Sequence, residues 1–173
     1  VEDYKYFLSL NEERFLKLSD SIYSEKTNFL NSFSNLDNDF KNYESFTLKY
    51  ENSIFIDRYS LWKGEFIGDK NFSVSKDFPN PYQNYNLSDE KMLLHPNYLS
   101  SIVDVIKSKH KIKLKSQDID LEFLKILDKE ISNETIKDEI ANNYVKEGIE
   151  QTNDLENVYN LFMSIVKNET YKD

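Results

Sequence analysis

The side chains able to do chemistry here are carboxylates: the 173-residue chain holds 31 Asp and Glu, two His and no Cys. Without a thiol there is no disulfide, no CxxC redox couple and no cysteine-rich zinc site. Three acidic pairs, Glu12/Glu13, Asp89/Glu90 and Asp118/Asp120, have the residue types for general acid–base work. That work needs two acids in one cleft with their pKa values pushed apart. Each pair falls instead where a helix is expected to begin, and there a negative charge complements the free N–H groups of the first turn. Capping is therefore the reading for all three. Asp37, Asn38 and Asp39 offer oxygen ligands. An EF-hand loop opening at Asp37 would need Gly and Glu where Asn42 and Leu48 stand, so calcium is rejected. His95 precedes a proline and His110 lies in a run of lysines. Neither belongs to an HExxH pair, and a surface or capping role is expected of each. Three scattered glycines cannot build a phosphate-cradling loop, and no GxSxG turn presents a serine nucleophile. The expectation is a chain with no catalytic residue, no cofactor and no metal ligand.

One constellation remains, and it is aromatic. Trp62, Phe66, Phe72, Phe78, Tyr82, Tyr85 and Tyr98 surround the only Trp and a Pro-containing stretch. Exposed, Trp62, Phe66, Phe78, Tyr82, Tyr85 and Tyr98 would form a partner-binding surface. Buried, they would anchor that stretch to the helices, and burial is the favoured of the two readings.

The elements that must hold these groups read as helices throughout. Asn11 before Glu12 and Glu13 resembles an N-cap with an acidic first turn, and Phe15, Leu18, Ile22, Phe29 and Phe33 follow on one helical face. A break at Leu36–Asn38, with Asp37 as cap, opens a second helix. Its face runs Phe40, Tyr43, Phe46 or Thr47, Tyr50 and Ile54, and on to Asp57 and Leu61. Gly64 and Gly68 loosen the pattern. Asp69 to Asn86 then carries Pro79 and Pro81 among many Asn, Asp and Ser, a loop that Phe72, Phe78, Tyr82 and Tyr85 would lay against the helices. Pro96 is expected to open a helix bearing Tyr98, Leu99, Ile102, Val103, Val105 and Ile106. Lys107 to Lys115 reads as a basic, solvated connector in which Ile112 and Leu114 alternate with lysines. Three helices follow: Asp120 to Ile131; Asn133 to about Gln151, with Gly148 where another helix comes close; and one capped by Asn153 or Asp154 that shows Leu155, Val158, Tyr159, Phe162, Ile165 and Val166. Connections this short make neighbouring helices antiparallel. The fold class is thus all-α: an antiparallel bundle or solenoid-like helix stack with a long Pro/Asn-rich loop. It is expected as one domain over 1–173, comprising a helical hairpin over 3–66, a loop over 67–90 and C-terminal helices over 96–168. No 34-residue period with the small residues of tetratricopeptide repeats occurs.

Composition narrows the partners. Ala141 is the only alanine, so tertiary packing rather than intrinsic propensity must hold these helices. A net charge of −9 opposes phosphate backbones and anionic lipid alike, which argues against nucleic acid and membrane-surface partners. No run of about 18 apolar residues is present to span a bilayer. The first residue, Val1, and the closing Tyr171–Lys172–Asp173 read as cuts, as expected of a fragment of a larger chain.

The order of elements, with the segments Leu93–Leu99 (LLHPNYL), Glu134–Ile140 (ETIKDEI) and Asn153–Phe162 (NDLENVYNLF), resembles the helical region that precedes the thioredoxin domain in TlpA-like thiol–disulfide oxidoreductases of the bacterial envelope. In that family a P-x-Y segment, here Pro96–Tyr98, begins a helix, and helix pairs lead into the catalytic domain. The resemblance implies a periplasmic or envelope-associated, non-catalytic accessory domain, one that positions an attached thioredoxin-like module or presents protein partners to it. The family's CxxC lies in the thioredoxin domain, so no catalytic residue carries over to this cysteine-free chain. A free-standing helical scaffold or extracytoplasmic ligand-binding and sensor module is the alternative, and it requires a groove near Trp62 and Tyr98.

Overall fold

Short polar side chains mark the starts of four of these helices. The computed structural model describes residues 2–83, 85–110, 112 and 119–172; every regular element is helical, and no strand occurs among the described residues. The chain divides into two compact units, Val1–Pro81 and Tyr82–Asp173, and the division falls inside the Pro/Asn-rich stretch.

The first unit comprises α1 (Glu2–Ser9), α2 (Glu12–Ser32), α3 (Asn38–Asp57) and α4 (Tyr59–Ile67). Asn11 caps α2 through a 3.0 Å bond from the Arg14 N–H, and Asp37 caps α3 by accepting from the N–H groups of Asp39 and Phe40. The seam between α2 and α3 is partly polar: the Ser19 hydroxyl donates to Asn52 Oδ1 at 2.7 Å. It passes through Phe15, Ser19 and Leu30 on α2 and Tyr50, Ser53 and Ile56 on α3. This corrects the expected inner faces. Phe29 (68 % exposed), Phe33 and Phe40 lie open at the hairpin tip, where Phe29 and Phe33 meet edge to face at 5.0 Å. Asp57 and Leu61 are exposed as well, because α3 ends at Asp57 and the helix restarted after Arg58 turns Tyr59 inward in their place.

Tyr59 is the hub of an aromatic core. It stacks on Phe15 at 4.0 Å and on Phe78 at 5.7 Å, while Phe15 meets Phe55 at 5.0 Å. Helix α1, at eight residues, is too short to persist alone. The Tyr59 hydroxyl donates to the Leu10 carbonyl, and the Lys63 ammonium donates to the carbonyls of Leu8 and Leu10, which satisfies orphan acceptors at the end of α1. Gly68 ends α4 with φ 73°, a left-handed conformation that costs an L side chain energy. Beyond it Phe72, Val74 and Phe78 pack on the core. The Ser75 N–H and hydroxyl both donate to the Glu12 carboxylate, and the Ser53 hydroxyl donates to the Pro81 carbonyl.

The second unit holds a 3₁₀ turn over Glu90–Leu94, then α5 (Tyr98–His110), α6 (Leu121–Glu130), α7 (Glu134–Gly148) and α8 (Leu155–Ile165), with further 3₁₀ turns over Ile149–Gln151 and Glu169–Tyr171. Helix α6 packs on α5, α7 and α8. Its core is mainly aliphatic: Ile102, Leu124, Leu127, Ile131, Ile136 and Val166 are fully buried. Phe123, not singled out in the sequence, is equally buried. The only alanine, Ala141, sits buried on α7. Asp120 and Asn133 cap α6 and α7.

Four local expectations change. Pro96 does not open α5; it lies in the turn closed by the Tyr98 N–H on the His95 carbonyl at 3.0 Å, where its fixed φ suits the second position. Leu155 and Tyr159 are exposed, because α8 buries its Val158–Phe162–Ile165 side. A Cβ on Gly148 would stand 2.6 Å from Ile119 Cγ1, so the close neighbour is the residue leading into α6 and not a helix. The Asp154 carbonyl accepts the Val158 N–H of α8, but its side chain makes no cap bond and holds the Asn157 amide instead. Of the lysine connector, positions 111 and 113–115 lie outside the described residues, as does Asp118 of the third acidic pair.

Candidate functional site

The aromatic residues singled out in the sequence belong to both units. Trp62, Phe66, Phe72 and Phe78 lie in the first; Tyr82, Tyr85 and Tyr98 lie in the second. Trp62, half-buried, meets Tyr4 edge to face at 5.2 Å and lies beside Arg58. Phe78 is half-buried on Tyr59, and Phe66, 46 % exposed, has the Lys63 ammonium 5.9 Å from its ring. Tyr82 is buried and touches the half-buried Tyr85 edge to face at 5.9 Å.

Tyr98 is buried at the start of α5, and its hydroxyl ties that helix to the backbone of residues 86–89. It accepts from the Asp89 N–H at 2.8 Å and donates to the Asn86 carbonyl at 3.1 Å. Burial holds its pKa above the ordinary tyrosine value, the Asp89 N–H bond working the other way. His95 is buried beside it, and its Nδ1 accepts the Asn97 N–H at 3.1 Å. The segment Leu93–Leu99 is therefore a structural joint in which both polar rings act on backbone.

The acidic groups also act on backbone and on neighbouring side chains. Asp89 accepts from the Lys91 N–H, and Glu90 accepts from the Asn133 amide at 2.7 Å. Glu130 pairs with Lys109 and receives His110 Nε2 at 3.2 Å. The hydrogen bond from Lys109, with its charge and that of His110, holds the Glu130 carboxyl below the ordinary glutamate value against the opposing effect of burial. Asp138, which sequence reasoning did not select, is buried, and its carboxylate accepts backbone N–H groups from Lys167 and Asn168. Nothing in its local sequence marks it, because its partners stand about 30 residues away. Among the described residues no three His, Asp or Glu gather with the spacing of a metal site, and no helix is long and apolar enough to cross a membrane.

An open groove of about 850 Å³ lies along α1 and α2, lined by Tyr6, Ser9, Leu10, Asn11, Arg14, Lys17, Leu18 and Ser21. Neither Arg14 nor Lys17 forms an ion pair among the described residues. Compared with family models, with curated proteins and with solved structures, the chain matches none. Fold and chemistry together define a cysteine-free, all-α chain in which buried Ser53, His95, Ser101 and Asp138 each bond backbone.

Proposed function

We propose that this chain is a non-catalytic helical accessory domain of an envelope thioredoxin-like thiol–disulfide oxidoreductase or isomerase, positioning the catalytic module or presenting protein partners to it. One observation carries the reading: the polar residues inside the segments that resemble that family are used in architecture. His95 and Tyr98 tie the backbone ahead of α5, and Asp138 ties α7 to the residues after α8. A domain of this kind needs a rigid frame and leaves redox chemistry to thiols elsewhere.

Two measurements test it. The parent reading frame beyond Asp173 should encode a strand–CxxC–helix pattern; a frame without one removes the thioredoxin attachment. In a parent that has it, deletion of residues 1–173 should leave reduction of a small disulfide intact and lower turnover of protein disulfides. Equal loss on both substrates would assign the domain to the chemistry itself.

The groove on α1 and α2, which neither Trp62 nor Tyr98 lines, supports a second reading in another place than the sequence suggested: a ligand-binding module for an anionic, partly apolar molecule. Arg14 and Lys17 line it together with Tyr6 and Leu18. Titration with hexanoate, followed by amide shifts at Ser9–Ser21, should show saturable binding that Arg14→Glu removes. Flat titrations to millimolar concentration would end that reading.

A further inference from the structure

We propose that Asp138 and Glu139 form a positioning clamp that fixes the path by which the chain leaves α8, and so the direction handed to whatever it carries. The proposal rests on the accessory-domain reading for its functional meaning, and on geometry for its existence. Helix α8 stops at Ile165, and Val166 turns to extended backbone with its side chain fully buried. The next two amides are caught by one carboxylate. The Lys167 N–H lies 3.1 Å from each Asp138 oxygen, and the Asn168 N–H lies 2.7 Å from Oδ2. Asn168 then caps the following 3₁₀ turn, accepting the Thr170 N–H at 3.1 Å and the Thr170 hydroxyl at 2.7 Å. At the end of that turn the Tyr171 hydroxyl donates to the Glu139 carboxylate, and the Lys146 ammonium stands 5.9 Å from the Tyr171 ring.

Three features make this more than packing. A three-residue 3₁₀ turn has no stability of its own, so α7 must hold it. Asp138 is 4 % exposed, and burying a carboxylate is unfavourable unless donors meet it; an apolar residue would fill the space without that penalty but could not orient two amides. Asp138 and Glu139 are successive on α7, about 100° apart around its axis, so the strap crosses the helix and is gripped at two separate bearings.

The absence of cysteine makes the test direct. Spin labels placed by Lys125→Cys on α6 and Lys172→Cys after the strap report one distance by pulsed electron resonance. A single narrow distribution is expected in the otherwise unaltered chain. Asp138→Ala should broaden it to several times that width, and Tyr171→Phe should broaden it in part, with the far-UV spectrum unchanged. Tyr171→Phe loses one oxygen atom and keeps the ring, so it stands as the readout if Asp138→Ala does not fold. Amide exchange at Lys167 and Asn168 should rise at least about tenfold with Asp138→Ala while α6 stays protected, as for a local opening. A broad distribution in the unaltered chain, or no broadening in either variant, overturns the clamp. A narrow, Asp138-dependent distribution in a chain whose parent lacks a thioredoxin-like module upholds the clamp and refutes the accessory reading, so the two fail separately.

Discussion

The two units solve the same problem with different side chains. The first closes around one ring: Tyr59 touches Phe15, Phe72 and Phe78, and its hydroxyl holds the end of α1. The second spreads burial over many Ile, Leu and Val positions and takes its specificity from polar ties such as Tyr98, His95 and Asp138. A hub concentrates energy in one residue, whereas a distributed aliphatic core shares it, since each buried aliphatic side chain contributes roughly 1.5–3 kcal/mol. The contrast teaches where each unit is vulnerable: the first at Tyr59, the second at the joints that set its chain path.

The largest effect expected is at that hub. Tyr59→Ala should destabilise the first unit by about 3–5 kcal/mol, and Tyr59→Phe, which loses only the bond to Leu10, by about 1 kcal/mol. Urea titration with residue-resolved exchange would read both. Leu127→Ala in the second unit should cost about 2–5 kcal/mol. A Tyr59→Ala loss smaller than that of Leu127→Ala would break the hub comparison. Next come the tight glycines. A Cβ at Gly64 meets the Asp69 carbonyl oxygen at 2.7 Å, and one at Gly148 meets the Ile119 side chain at 2.6 Å. Gly64→Ala and Gly148→Ala should each cost about 1–3 kcal/mol, with Gly64 the dearer because backbone must move there. Caps rank below them: Asp37→Ala and Asn133→Ala should cost about 1 kcal/mol each, one per unit, in thermal melts. Equal cap losses beside unequal core losses would sharpen the contrast between the units.

The smallest effect is electrostatic. Glu130 titrates below its ordinary value in the folded chain, so its stabilisation is full above the unfolded pKa of about 4.3 and is lost as pH falls through the folded value. The difference between the unaltered chain and Glu130→Gln should therefore be under about 1 kcal/mol at pH 7, shrink in acid and shrink in high salt. An unchanged difference at pH 3 would remove the ion pair from the account.

Much of the helical order was legible locally. Asn11, Asp37, Asp120 and Asn133 announced their helices because a cap acts within three residues of itself. Inner faces were less legible where aromatics crowd every side of a helix: Phe29, Phe33 and Phe40 have the right spacing and the wrong exposure. The aromatic candidates likewise could not be sorted into open Phe66 and buried Tyr82 and Tyr98 by spacing, because their neighbours come from distant segments.

By itself the sequence determined the helical class, the caps of α2, α3, α6 and α7, the acidic balance and the lack of thiol chemistry, all properties of residue type and short-range spacing. Only the tertiary structure decided that Tyr59 is a hub and that Asp138 grips a strap some 30 residues away. Long-range contacts depend on how helices pack, and no local pattern records which buried carboxylate will meet which amide.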